Sequence, residues 1–446
     1  MNNVVKLYCS EIMKKKILND YACDYQKSGE LRVEYIQKGI IHPDEWDEGK
    51  AREENSYGGV TDENLNFIEL SLNKRFIGDG FIPTKKWHIG ANPHRDFSDI
   101  PYVDEDIFYL GPIKEHFFHN VIEVFSRLWF FLDENNLKYK IAYCVQKGDE
   151  PNLEVFKDFF LGLNIPLENF VEIKEPTQYR TVIVSEQSFE LNGGYHPIYN
   201  ELYEKLQRKV ISKNYEKVYL SKKYNVHGFN NVIRFPHWEY VDELFSQNGF
   251  KILYPEKLSL NELIASLKGC KMLVSQSGSS SFNAFFAPKN IDVVILNRSE
   301  HSHVYQINMF KTKNFRTTYI DVFYNKLPVF WDMGPFGFCF TDYMKQFLDD
   351  NKYRYNARKF SKLNKELVRE MITNWYQVYG TWDIYPYNTF VNYLDFSSAD
   401  LLSLIADSEY SRRKKLPFFK RKYLKLKAKL KKMMNQYKSS QENTKN

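Results

Sequence analysis

Residues 217–297 carry the organisation of this chain. They read KVYLSKK (217–223), HWEYVDELFSQNG (237–249), FKILYPEK (250–257), SLNELIASLKG (259–269), KMLVSQSG (271–278), SSSFNAFFAPK (279–289) and IDVVILN (291–297). Apolar, β-branched runs alternate with helical patterns at regular spacing. That series predicts a parallel sheet covered by helices on both faces. Ser259 and Glu262 form a capping box at the start of one helix. Gly249 and Gly269 stand where helix C-termini belong. Sheets of this kind bind ligands at the carboxyl ends of their strands. Two such ends suit phosphate. One follows KVYLS and carries Lys222 and Lys223. The other is the turn SQSGSSS, in which Ser277 and Gly278 precede Ser279, Ser280 and Ser281 at a helix start. Free N–H groups and the positive end of the helix dipole hold anions there. No G-x-G-x-x-G or Walker A motif is present, which argues against a dinucleotide redox enzyme or an ATPase.

On the amino-terminal side the pattern is also α/β. IFYLG (107–111), KIAYCVQ (140–146), FVEIKE (170–175) and RTVIVSE (180–186) read as strands. Helices are expected over about 114–132, 153–163 and 196–211. LRVEYIQK (31–38) and NFIELSLN (66–73) alternate like strands, and the polar stretch 42–64 reads as a long loop. After about residue 300 the pattern turns irregular and aromatic, with one helix expected over 362–379. The expected division is an amino-terminal α/β domain (1–200), a Rossmann-like domain (201–330), a helical, aromatic extension (331–410) and a basic tail (411–446).

Composition narrows the class. The five cysteines are dispersed without C-x-x-C spacing, which fits a reducing compartment better than a disulfide or zinc framework. The first residues, MNNVVKLYCSEIMKKK, lack the apolar core of a secretory signal, and no run of 18 apolar residues occurs. The formal charge is +6. Residues 411–446 hold 14 Lys/Arg and one acid, a charge of +13, which leaves the other 410 residues at −7. An acidic body with a basic tail argues against nucleic acid as partner. In the tail Phe419, Tyr423, Leu426, Leu430 and Met433 recur at helical spacing among lysines. That pattern suits an amphipathic helix lying on an anionic membrane surface.

In KEHFFHNVIEVFSRLWFFL (114–132), Phe118, Val121, Ile122, Phe125, Leu128 and Leu132 share one helical face. Glu115, His119 and Glu123 fall on another stripe at i, i+4 and i+8, so His119 and Glu123 come within reach of each other. A histidine oriented by a carboxylate is a general-base arrangement. The alternative is a core histidine beside a Glu123–Arg127 pair. Arg234, on the connection after Lys222 and Lys223, has the fork geometry to grip a diphosphate. Asn283 lies one turn into the serine helix.

These segments resemble glycosyltransferase family 61. GPIKEHFFHNVIEVFSRLW is similar to the family's N-x-x-H-x-x-x-E/D-x-x-x-R-L segment, and VYLSKK through IDVVIL is similar to its donor-binding half. The likeness spans about residues 108–300. The chain departs from the pattern at four places: His116 for Asn, Lys222 for Arg, Trp238 for Asn (with Glu239 kept), and Ser277 for His. The resemblance implies two Rossmann-like domains of the glycosyltransferase-B type and an inverting transfer without metal or other cofactor. The only D-x-D, Asp104 to Asp106, precedes a strand rather than following one. His119, Glu123 and, as a fallback, Glu115 are the expected catalytic groups. Lys222, Lys223, Arg234, Glu239, Ser277, Gly278, Ser279, Ser280, Ser281 and Asn283 are the expected donor site. The implied partners are a nucleotide-sugar donor and a glycan or lipid-linked acceptor, in bacterial capsule or lipopolysaccharide synthesis on the inner face of the cell membrane. The competing reading is a non-catalytic member that binds sugar nucleotide or glycan and scaffolds an assembly complex.

Overall fold

The computed structural model describes residues 5–23, 25–46, 56–72, 90–115, 117–146, 148, 150, 153–191, 193–224, 237–323, 334–364 and 366–367. Their strands are β1 (Val5–Tyr8), β2 (Val33–Gln37), β3 (Ile40–Trp46), β4 (Ser56–Thr61), β5 (Tyr102–Ile113), β6 (Lys140–Val145), β7 (Phe170–Glu172), β8 (Thr177–Ser185), β9 (Lys217–Leu220), β10 (Lys251–Leu253), β11 (Met272–Gln276), β12 (Asp292–Asn297) and β13 (Arg316–Asp321). They build two sheets, consistent with two Rossmann-like units.

The second sheet has the order β1-β13-β12-β11-β9-β10, and every pairing in it is parallel. From β9 the chain steps outward to β10, then returns across β9 to β11 and continues to β12 and β13. The strand order therefore reverses between β9 and β11, and that is where a doubly wound sheet opens a crevice at its carboxyl edge. The two phosphate-suited strand ends of the sequence flank this crevice. The Ser259–Glu262 capping box is present in both directions. Gly249 has φ +79°, and a Cβ at Gly269 would meet the Asn214 backbone at 2.8 Å, so close approach accounts for that glycine.

The first sheet runs β4-β3-β8-β5-β6-β7, with β2 also on β8. β5, β6, β7 and β8 are parallel, and β2, β3 and β4 are antiparallel additions. Three expectations fail here. Part of the stretch read as a loop forms the β3–β4 pair, with a register shift between His42 and Glu45. The stretch 66–73, read as a strand, holds a 3-10 turn at Glu69–Ser71. The first strand, assigned to the amino-terminal domain, instead pairs β13 in the second sheet. The helix Val304–Thr312 and β13 occupy the region that looked irregular. Asp104 and Asp106 lie on β5, where Arg180 pairs with both, at 3.4 and 2.9 Å.

One apolar cluster runs through both units, from Phe108, Phe125 and Phe159 to Phe285, Leu273 and Ile295. Tyr203 stacks on Phe285 with centroids 4.6 Å apart, and Phe118 meets Phe282. Burial of large aromatic surface of this kind fixes the two sheets against each other.

Candidate active site

β5 ends at Ile113, and its carboxyl end leads into a composite helix. Phe117–His119 is α-helical, Asn120–Val124 is a π-helical turn and Phe125–Leu132 is 3-10. The helix starts three residues later than the periodicity predicts. Asn120 accounts for part of that: its Oδ1 accepts from the Lys114 N–H at 2.9 Å and its Nδ2 donates to the Lys114 carbonyl at 2.6 Å, which clamps the strand end. π-helical turns concentrate at functional sites, and this one carries Glu123.

Glu123 is fully buried, while His119 keeps about a third of its side chain exposed. His119 Nδ1 lies 3.4 Å from Glu123 Oε2, so the structure brings together the two residues that the i, i+4 spacing paired. The same carboxylate oxygen also pairs with Lys114 Nζ, a partner that sequence reading missed. A buried carboxylate needs such a counter-charge. Arg127, the other candidate partner, is turned to backbone carbonyls instead. Its guanidinium donates to the carbonyls of Leu70 at 2.8 Å and Leu72 at 2.9 Å and to that of Ser185. Burial pushes its pKa down to about 10. Glu115 stands before the helix, not on the His119 stripe. It is exposed, and its carboxylate accepts from the Glu150 N–H at 3.3 Å. His116 lies outside the described residues.

On the second sheet, β11 ends at Gln276 and turns at Gly278, whose φ is +97°. The helix that follows, Ser279–Phe286, is 3-10. Several of its hydroxyls face the protein. Ser281 Oγ donates to the Gly278 carbonyl at 2.7 Å, Ser280 Oγ shares a hydrogen bond with Ser275 Oγ at 2.9 Å, and Ser277 Oγ accepts from the Arg298 N–H at 3.3 Å. Ser279 and Asn283 are half-buried. Asn283 Nδ2 donates to the Ser280 carbonyl at 2.9 Å. At the end of β9, Ser221 Oγ accepts from the Lys223 N–H at 3.1 Å; Lys222 is half-buried and Lys223 exposed. Glu239 is exposed in the first turn of the helix Glu239–Ser246, where a negative charge complements the dipole. Trp238 is buried, and its indole N–H donates to the Phe336 carbonyl at 2.5 Å. Hence the tryptophan that replaces the family's asparagine is a core residue here. Arg234 and the tail residues from Phe419 to Met433 lie outside the described residues.

Two further features had no sequence signal. Asp242, over β9, accepts from the Tyr254 hydroxyl at 3.1 Å, and burial raises its pKa. Arg298, just past β12, lies against Gly278.

The two halves meet through aromatic rings. Phe118 and Phe282 have centroids 3.9 Å apart, and Phe282 stacks on Tyr305 at 5.1 Å. The Tyr305 hydroxyl is hydrogen-bonded to His303 Nδ1 at 2.7 Å. His119 follows Phe118 directly, so a candidate base sits beside the contact with the serine helix.

Residues 117–295 match the family Glycosyltransferase 61. No curated protein matches the chain. The chain therefore carries a glycosyltransferase domain, and its enzyme class is sugar transfer between a donor and an acceptor. The matched span opens at the composite helix and closes on β12, so it holds both His119 and the turn at Gly278. No described helix is long and apolar enough to cross a membrane.

Proposed function

We propose that the protein is an inverting glycosyltransferase that moves a sugar from a nucleoside-diphosphate sugar to a glycan or lipid-linked glycan acceptor, without a divalent cation, in the synthesis of a bacterial surface polysaccharide. One observation supports this most. The His119–Glu123 pair, at the carboxyl end of β5, and the serine helix after β11 are joined by the Phe118–Phe282 contact. A general base and an anion-suited turn therefore border the same interface. In the reaction, the acceptor oxygen forms the new bond to the anomeric carbon. The bond to the donor phosphate oxygen breaks on the opposite side, and its electron pair leaves with the nucleoside diphosphate. His119 takes the acceptor's proton, with Glu123 holding the imidazole. The leaving charge is met by Lys222, Lys223 and Arg234 and by the dipole at Ser279–Ser281. Glu239 and Asn283 border the donor, and Glu115 is the reserve base.

The test is a panel of nucleotide sugars with EDTA present, scored for transfer and for slow donor hydrolysis. Turnover of one donor supports the reading. Tight donor binding with neither reaction would favour the non-catalytic scaffold, and loss of turnover in EDTA restored by Mg²⁺ would sink the metal-free mechanism. The basic tail bears on the acceptor. A helix with Phe419, Tyr423, Leu426, Leu430 and Met433 in the acyl boundary would keep the enzyme at a lipid-linked substrate, peripheral on the cytoplasmic leaflet. Full-length protein should then pellet with anionic liposomes at low salt, and a chain ending at Tyr410 should not.

A further inference from the structure

The sequence offered Lys222, Lys223 and Arg234 as the charges that meet the donor diphosphate. We infer that Arg298 is the cation seated at the Gly278 turn to grip that diphosphate; the inference rests on the glycosyltransferase reading above. Arg298 follows β12, the neighbour of β11, at the carboxyl edge of the second sheet. Its guanidinium and the turn are in direct contact. A Cβ added at Gly278 would lie 2.8 Å from Arg298 Nη2 and 3.0 Å from Cζ. Glycine is thus required twice, by its φ of +97° and by the arginine beside it. An anion that accepts from the first free N–H groups of the serine helix would be within reach of this guanidinium.

The arginine is also held for the task. Its Cζ stands 4.2 Å from the Phe336 centroid, and its backbone N–H donates to Ser277 Oγ. It is buried, at 6% exposure, whereas Lys223 is exposed. A planar fork fixed on an aromatic face loses less freedom on gripping a diphosphate than a lysine does, and it binds two oxygens at once. On the same face of the sheet lies unused hydrogen-bonding capacity. Gln276 ends β11 on the same face as Val274, which packs in the cluster that contains Phe336. Gln276 and Tyr219 are fully buried. Neither amide atom of Gln276 nor the Tyr219 hydroxyl makes a hydrogen bond of ordinary geometry among the described residues, although the two side chains lie close together. Buried polar groups in that state mark a place where a polar ligand or water belongs.

The experiment measures binding of UDP, GDP, CDP, ADP and TDP, and of the matching monophosphates, to the full chain by calorimetry. For the diphosphate that wild type binds, Arg298→Gln should raise Kd about tenfold or more, in keeping with the loss of a charge-assisted contact. The monophosphate should weaken far less. Arg298→Lys should fall between. Phe336→Leu leaves the arginine in place without its ring and should also weaken the diphosphate selectively. It decides the matter if Arg298→Gln does not fold. Equal weakening of mono- and diphosphate, or wild-type Kd in Arg298→Gln and Phe336→Leu, overturns the inference alone. A wild-type chain that binds none of the nucleotides overturns the transferase reading and the inference with it.

Discussion

The ring of Phe118, on the composite helix after β5, rests on the ring of Phe282, in the serine helix after β11, with centroids 3.9 Å apart. Both residues are nearly buried. This contact links the element carrying His119 to the element carrying Gly278. Each ring should therefore contribute to stability through the other. Phe118→Ala and Phe282→Ala should each cost about 3–5 kcal/mol. In a double-mutant cycle by urea unfolding the pair should show coupling of about 0.5–1.5 kcal/mol. Additivity within about 0.3 kcal/mol would mean the rings are neighbours without mutual support.

His119 is the candidate base, and it is exposed enough to lose without collapse. His119→Ala should lower kcat by roughly 10²–10⁴, the usual contribution of a positioned base, with little change in Tm. Unchanged turnover by a folded variant would leave His119 a packing residue.

Lys114 neutralises Glu123 inside the protein, where the carboxylate is fully buried. Lys114→Met should destabilise by about 3–5 kcal/mol, because it removes the lysine counter-charge of a buried carboxylate. Adding Glu123→Gln should recover most of that loss. A double variant no more stable than Lys114→Met would show that shape, not charge, is what Lys114 supplies.

His42 is buried on β3 beside Thr61, its Nε2 hydrogen-bonded to Thr61 Oγ1 at 2.8 Å. Burial, and more weakly Arg95, lowers its pKa to about 4, against an opposing pull from Glu45. The unfolded chain protonates this histidine below about 6.5, while the folded chain resists down to about 4. Its contribution to stability is therefore complete above pH 6.5 and is lost as pH falls from 6.5 toward 4, by on the order of 1–3 kcal/mol. His42→Gln should flatten the stability profile over that window in denaturant titrations. An unaltered slope would assign the acid sensitivity to other groups.

Local pattern determined much of this protein. The strands β9, β10, β11 and β12, the helices between them and the Ser259–Glu262 box follow from apolar periodicity and capping chemistry within a few residues of each other. Helical spacing put both His119 and Arg127 within reach of Glu123, and the packing of Arg127 on backbone carbonyls decided for His119. Other features were hidden because their cause is distant. β3 contains Pro43, Asp44 and Glu45 and reads as loop; it becomes a strand only by pairing with β4 and β8. β1 joins β13 across some three hundred residues. Lys114 reaches Glu123 because Asn120 clamps the strand end and the helix starts late, a geometry that no regular period contains. Arg298 meets Gly278 only because β11 and β12 lie side by side, and it meets Phe336 only because the chain returns over that face. Periodicity reports which face of an element is buried; strand order and the packing of one unit on another decide which charges and rings share a site.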